Sequence, residues 1–340
     1  MNFSRLTMSS LKFKITNHTL FVCILMLCYI LFAMYYQFNI RTLTNDELAF
    51  AGLSERGFNN IEYIVWSSYV ISMGRISSVA LPILNIFIFF YISVLISIRI
   101  NNFWFFYLLL SSPTVFYYVN SYLRDSVFFL SSLFILYGVL KGRLLSAWGL
   151  ILFLRFEFFI IYLISVLIST LSNLRNILSI GFIFIFVFVF LLLTSLLVLS
   201  NDFSSEYIAL VEKYKPRETD GFGLLGVNKE IEGVVLNFNL SWLYFWFGPS
   251  LDHGKLFGPL TFFESITIFI LFSVIVMKFG RKFRNNKRIL LPLWMILFSF
   301  LFASFVPSLG GHIRFRVFFF PFLVFLATYP YIYNCYTRIR

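Results

Sequence analysis

A bundle of transmembrane α-helices is the fold class this sequence predicts, and three observations carry the prediction. Of its 340 residues, 60% are hydrophobic and 12% are charged, where a soluble domain has about 45–50% and about 25%. The apolar residues, 48 of them Phe, fall in runs near the roughly 20 residues that cross a bilayer. The basic residues gather on one side of the topology that those runs define. No polar stretch is long enough to fold alone, so residues 1–340 read as one transmembrane domain.

Eight runs are candidate spans: 18–38, 79–98, 103–119, 126–140, 177–199, 259–277, 289–306 and 317–334. Flanking aromatic and polar residues extend the shorter ones. The first run follows Arg5, Lys12 and Lys14 and lacks a small-residue cleavage site, which favours a span over a signal peptide. Segment 146–172 is apolar but carries Arg155 and Glu157 at its centre. It fits either one span with a buried ion pair or a re-entrant pair of half-helices.

Charge decides between the two. With a hairpin that enters and leaves on the cytoplasmic side, the cytoplasmic pieces are 1–17, 99–102, 141–145, 173–176, 278–288 and 335–340. They hold 15 Lys and Arg and no Asp or Glu. A single span would instead turn the basic run from Lys278 to Arg288 outward, against the positive-inside rule. The expected architecture is therefore about eight full spans plus a re-entrant half-helix pair, with both termini cytoplasmic. The net charge of +12 is accounted for by topology and anionic lipid, with no nucleic acid required.

Three outer loops remain for chemistry: 39–78, 200–258 and 307–316. The first holds Asn45-Asp46-Glu47 and a semi-apolar stretch with Arg75, suited to a helix lying in the interface. The second is polar early and aromatic late, from Trp242 to Phe247, a stretch expected on the membrane surface as an interfacial anchor or a platform for sugar faces. The third reads Pro-Ser-Leu-Gly-Gly-His-Ile-Arg-Phe-Arg. Its His312, Arg314 and Arg316 alternate after Gly310-Gly311, and an extended backbone would point the two arginines the same way. Arginine forks suit a diphosphate, while lipid phosphate or an internal carboxylate would serve as a plainer partner.

Two charged pairs sit in or near apolar runs, Arg124-Asp125 and Arg155-Phe156-Glu157. Ionisable groups at such depth are costly and face an interior or a wet cavity, as functional groups or as structural ion pairs. Glu264, near the start of its run, is a weaker candidate, and His253 reads as a loop histidine. Cys23, Cys28 and Cys335 lie in or beside apolar runs without CxxC spacing, which predicts neither disulfide nor metal site. The sequence has no Walker loop, dinucleotide fingerprint, HExxH or GxSxG.

The Phe- and Ile-rich spans, the first outer loop with Asp46-Glu47, Tyr122-Leu123-Arg124-Asp125-Ser126 after a proline-broken span, and His312-Ile313-Arg314-Phe315-Arg316 before a proline-bearing last span give the chain a family resemblance. It resembles O-antigen polymerases of the Wzy type, and more widely the GT-C group of lipid-linked sugar transferases. Its last motif is similar to a His-x-Arg-Tyr-Arg…Pro ending, with Phe315 in place of tyrosine.

The resemblance implies a bacterial inner-membrane enzyme that polymerises undecaprenyl-linked oligosaccharide repeat units, with a chain-length regulator as protein partner. Asp46, Glu47, His312 and Asp125 would supply acid–base chemistry. Arg314, Arg316, Arg124, Arg75, Arg155 and Glu157 would bind substrate, the arginines stabilising the departing lipid diphosphate. Asn45-Asp46-Glu47 departs from an Asp-x-Asp pattern, so no divalent metal is indicated and no cofactor is assigned. The competing readings are a transferase moving one sugar from a polyprenyl-phosphate donor and a flippase or transporter for lipid-linked sugars. The 59-residue loop 200–258 and the lack of internal repeats favour an enzyme over a transporter.

Overall fold

A computed structural model describes residues 3–39, 61–77, 79–146, 149, 152, 155–171, 245–247, 254–282, 287–304 and 309–329. Among these residues the fold is all α, with no strand. The principal helices are α1 (Phe3–Asn39), α2 (Ile61–Ile76), α3 (Ala80–Ile100), α4 (Trp104–Leu110), α5 (Pro113–Val119), α6 (Asp125–Leu140), α7 (Phe156–Leu171), α8 (Gly254–Lys282), α9 (Lys287–Ser304) and α10 (Leu309–Thr328). Two stretches, Leu20–Asn39 and Ala80–Ile100, are long and apolar enough to cross a membrane. The expected span 177–199, nearly all of loop 200–258, and Asp46 and Glu47 lie outside the described residues.

The chain separates into two compact units, one of residues 1–91 with 119–123, the other of 92–118 with 124–340. In the first, among the described side chains of α1 Ala33 and Tyr36 are buried, and Leu20, Leu27, Leu31 and Phe38 are exposed. Tyr29 of α1 meets Phe90 of α3 edge-on, ring centroids 5.4 Å apart. The link 119–123 is held by side chains that donate to its carbonyls: Gln37 to Asn120, and the Trp66 indole to Tyr122 at 2.8 Å.

The second unit is organised around α10. From Val317 to Ala327 every residue of this helix is buried, and it packs on α4, α6, α8 and α9. A helix apolar on all sides is stable only when surrounded. Its rings interlock with its neighbours: Phe318 stacks on Phe158 of α7 at 4.4 Å, and Phe325 meets Phe105 of α4 at 6.4 Å. Asn102 closes the far end, donating to Thr328 O at 2.6 Å and accepting from Trp104 N at 3.1 Å. Its neighbour Asn101 ends α3 with φ 54°, the left-handed conformation that asparagine tolerates better than most residues.

The proline-broken run 103–119 is two helices of seven residues, α4 and α5, and two other expectations are corrected below. Proline cannot donate to α4, and Ser112 instead caps α5 by accepting from Val115 N at 3.1 Å. The loop 307–316 is helical from Leu309 onward, so the extended alternation of Arg314 and Arg316 does not form. Residues two apart on a helix diverge by about 200°, and these two arginines cannot share one phosphate.

The second correction concerns segment 146–172. Its second arm is the 16-residue helix α7, whereas Gly149 and Leu152, the described residues inside the first arm, form 3-10 turns rather than an α-helix. Arg155 lies against Asp125, the first residue of α6. Tyr162, two turns further along α7, donates to Leu144 O and accepts from Ser146 N, both at 2.8 Å, just beyond the end of α6. Arg155 therefore stands at the start of α6 and Tyr162 just past its end, so α7 runs in the same direction as α6. A glycine is required at 149, because a Cβ there would stand 2.1 Å from Tyr162 Cε1.

Candidate functional site

Among the described residues of the second unit, four charged side chains form two ion pairs against α10. Arg316 is 1% exposed and Glu264 of α8 is 5% exposed. Arg316 Nη2 lies 3.4 Å from Glu264 Oε2. Arg316 Nη1 also donates to the carbonyls of Trp246 at 3.2 Å and Phe245 at 3.5 Å. Glu264 accepts from two hydroxyls at the α4–α5 break, Ser112 on Oε1 and Thr114 on Oε2. The carboxylate, the guanidinium and the broken helix therefore satisfy one another, as burial demands.

The second pair is Asp125 Oδ1 with Arg155 Nη1 at 3.0 Å. The sequence places Asp125 beside Arg124 and Arg155 near Glu157, but the structure joins Arg155 to Asp125 across two helices. Asp125 sits in the first turn of α6, where a carboxylate complements the helix dipole. Arg155 precedes α7, the unfavourable end for a cation, and the carboxylate compensates for that placement. Its guanidinium also lies 4.0 Å from the Phe315 ring centroid and 5.5 Å from that of Phe158, a cation–π arrangement that tolerates little water. Phe315 and Arg316 are neighbours in sequence, so one short stretch of α10 touches both pairs.

The remaining candidates are placed as follows. Arg124 is the N-cap residue of α6 and is 7% exposed. Arg75 is exposed in the last turn of α2, in the other unit. Glu157 lies on α7, and His312 and Arg314 on the opening turns of α10; their side chains are outside the described residues. The expectation that the aromatic stretch 242–247 lies on the surface fails at two positions. Phe245 and Trp246 are fully buried, and the Trp246 indole donates to Ser299 of α9 at 3.0 Å.

Sequence reasoning missed Ser112 and Thr114 and ranked Glu264 low. The available signal was physical: a lone carboxylate in an apolar run requires a partner, and the Ser-Ser-Pro-Thr break at 111–114 offers hydroxyls not committed to a continuous helix. No cluster of His, Cys, Asp or Glu suited to a metal occurs among the described residues. No family model matches the chain, and searches of characterised proteins and of solved structures give no match either.

Proposed function

We propose that the chain is a multi-pass protein of a bacterial inner membrane that polymerises lipid-linked oligosaccharide repeat units at the periplasmic face. One observation carries the reading most directly: the N-terminal ends of α6 and α7 meet at Asp125 and Arg155, beside Phe315 about two turns into α10. Helix N-termini and arginines together favour an anion, and a lipid diphosphate is the anion a membrane bundle can deliver there. Arg316 is spent on Glu264 and two carbonyls, so the phosphate role falls to Arg155, with Arg314 on the neighbouring turn of α10. Asp125 holds Arg155 in place, and His312 is the candidate for the acceptor proton.

Asp125→Asn and Arg155→Ala are expected to cut long-chain surface polysaccharide at least about tenfold, a loss of about 1.4 kcal/mol or more in transition-state stabilisation, while inserted protein is retained. Arg155→Lys keeps charge but not the fork and is expected to recover only part of it. A full product ladder in both Asp125→Asn and Arg155→Ala refutes the assignment. A ladder that persists while addition of a single sugar is lost would place the chain with the single-sugar transferases.

The proposed topology has eight spans, a re-entrant segment at 146–172 and cytoplasmic termini. The parallel course of α6 and α7 and the 15 uncompensated basic residues support it. Reporter fusions after Lys141 and after Arg175 are both expected to read cytoplasmic. Opposite readings would make the segment a single span.

A further inference from the structure

We propose that the turn after α6, residues 141–145, docks an anionic lipid headgroup, with Lys141 and Arg143 against its phosphate and Leu145 entering the acyl boundary. The turn is built by two glycines in Gly138-Val139-Leu140-Lys141-Gly142-Arg143. Gly142 takes φ 79°, the left-handed conformation that ends a helix. Arg143 N donates to Gly138 O and Gly142 N to Val139 O, both at 2.9 Å. Beyond the turn, Tyr162 of α7 fastens the chain on both sides of one residue. Its hydroxyl donates to Leu144 O and accepts from Ser146 N. Leu145 stands between these fixed points and is 69% exposed. It cannot rotate inward without giving up those bonds, so the fold holds a bulky apolar side chain outward beside two cations.

Lys141 and Arg143 are exposed, and Lys141 Nζ lies 4.4 Å from the centroid of the Tyr137 ring, one turn back. No Asp or Glu occurs between Asp125 and Glu157, and among the described residues neither cation joins an ion pair. The space over the turn is open, since a Cβ on Gly142 would meet nothing within 4 Å. Helix length identifies the anion as lipid. The 16 residues of α6 span about 24 Å, short of the roughly 30 Å hydrocarbon core. In the membrane setting proposed above, that shortfall draws the ends of α6 toward the headgroups. Asp125 and Arg155 occupy one end and the turn 141–145 the other. In that layer an exposed leucine meets acyl chain, and two cations meet phosphate. A soluble acidic partner would leave Leu145 in water. The inference rests on the membrane setting and not on the enzymatic reading.

The test places an environment-sensitive fluorophore on Leu145→Cys in the full chain carrying Cys23→Ser, Cys28→Ser and Cys335→Ser, reconstituted in phosphatidylcholine vesicles. Quenching is read with trace nitroxide-labelled phosphatidylglycerol against nitroxide-labelled phosphatidylcholine. The anionic lipid is expected to quench about threefold more strongly, with the difference falling in high salt. Lys141→Gln/Arg143→Gln is expected to abolish the preference. Lys141→Arg/Arg143→Lys should keep it, because the site reads charge rather than fork geometry. The reference label is Leu31→Cys on α1, where the leucine is 59% exposed and no charged residue occurs between Lys14 and Arg41. The two lipids are expected to quench it equally. A Leu145 label reached by aqueous iodide and by neither lipid places the turn in water and overturns the proposal. Equal quenching of that label by the two lipids, or a preference that survives Lys141→Gln/Arg143→Gln, also overturns it. A Leu31 label beyond the reach of both lipids would overturn the membrane setting as well.

Discussion

Glu264→Ala is expected to remove most of the folded protein from the membrane, and adding Arg316→Met is expected to bring much of it back. The single change leaves a fully buried guanidinium facing two carbonyls and no carboxylate. Breaking a buried pair from one side costs about 3–5 kcal/mol, whereas replacing both partners with apolar residues is often neutral or better. Ser112 and Thr114 lose their acceptor as well, which adds to the penalty in the single variant. Glu264→Gln keeps acceptor capacity and should fall between. The measurement is the thermal midpoint for loss of monodisperse protein in detergent. A Glu264→Ala protein as stable as the parent, or a double variant no better than the single, would show that the pair does not hold the bundle together.

Gly149→Ala is expected to be nearly as damaging, although it adds one methyl group. That methyl would meet three atoms of the Tyr162 ring at 2.1, 2.7 and 2.9 Å. The ring cannot step aside cheaply, because its hydroxyl is fixed to Leu144 O and Ser146 N. Overpacking costs about 1–3 kcal/mol, and occasionally more; displacing Tyr162 also forfeits two hydrogen bonds of about 1 kcal/mol each. Tyr162→Ala in the same chain opens the space, so the double variant should lose less stability than the sum of the two singles. Additive losses in the thermal midpoint would mean that the two residues are not in contact.

How far the sequence foretold this architecture depended on whether the signal was local. Helices were legible because apolar runs of this length leave no other way to satisfy the backbone. The break at Pro113 was legible because proline removes a donor. The pairing of charges was not. Arg155 pairs with Asp125, 30 residues back, and Arg316 reaches Glu264 across 52 residues. Chain proximity says little about which helix faces which. The segment 309–316 misled for a different reason. Gly310-Gly311 and alternating charges favour a turn locally, but the drive to surround the apolar part of α10 carries the helix back through them, a tertiary override of weak propensity. The same force drew Phe245 and Trp246 inward from a stretch whose composition reads as interfacial.

The position of α10 has a consequence for biogenesis. It follows in the chain every helix it packs against, yet it is their common core. While the ribosome is still making the chain, α4, α6, α8 and α9 have inner faces with nothing between them. During that interval the Glu264 carboxylate has its hydroxyl donors but no cation, and Asp125 and Arg155 lack the Phe315 ring. The core of the second unit is therefore complete only once α10 enters, bringing the missing guanidinium, the aromatic cover over Arg155 and the apolar filling. In the proposed membrane setting, the unfinished bundle would leave its charged interior facing lipid until then.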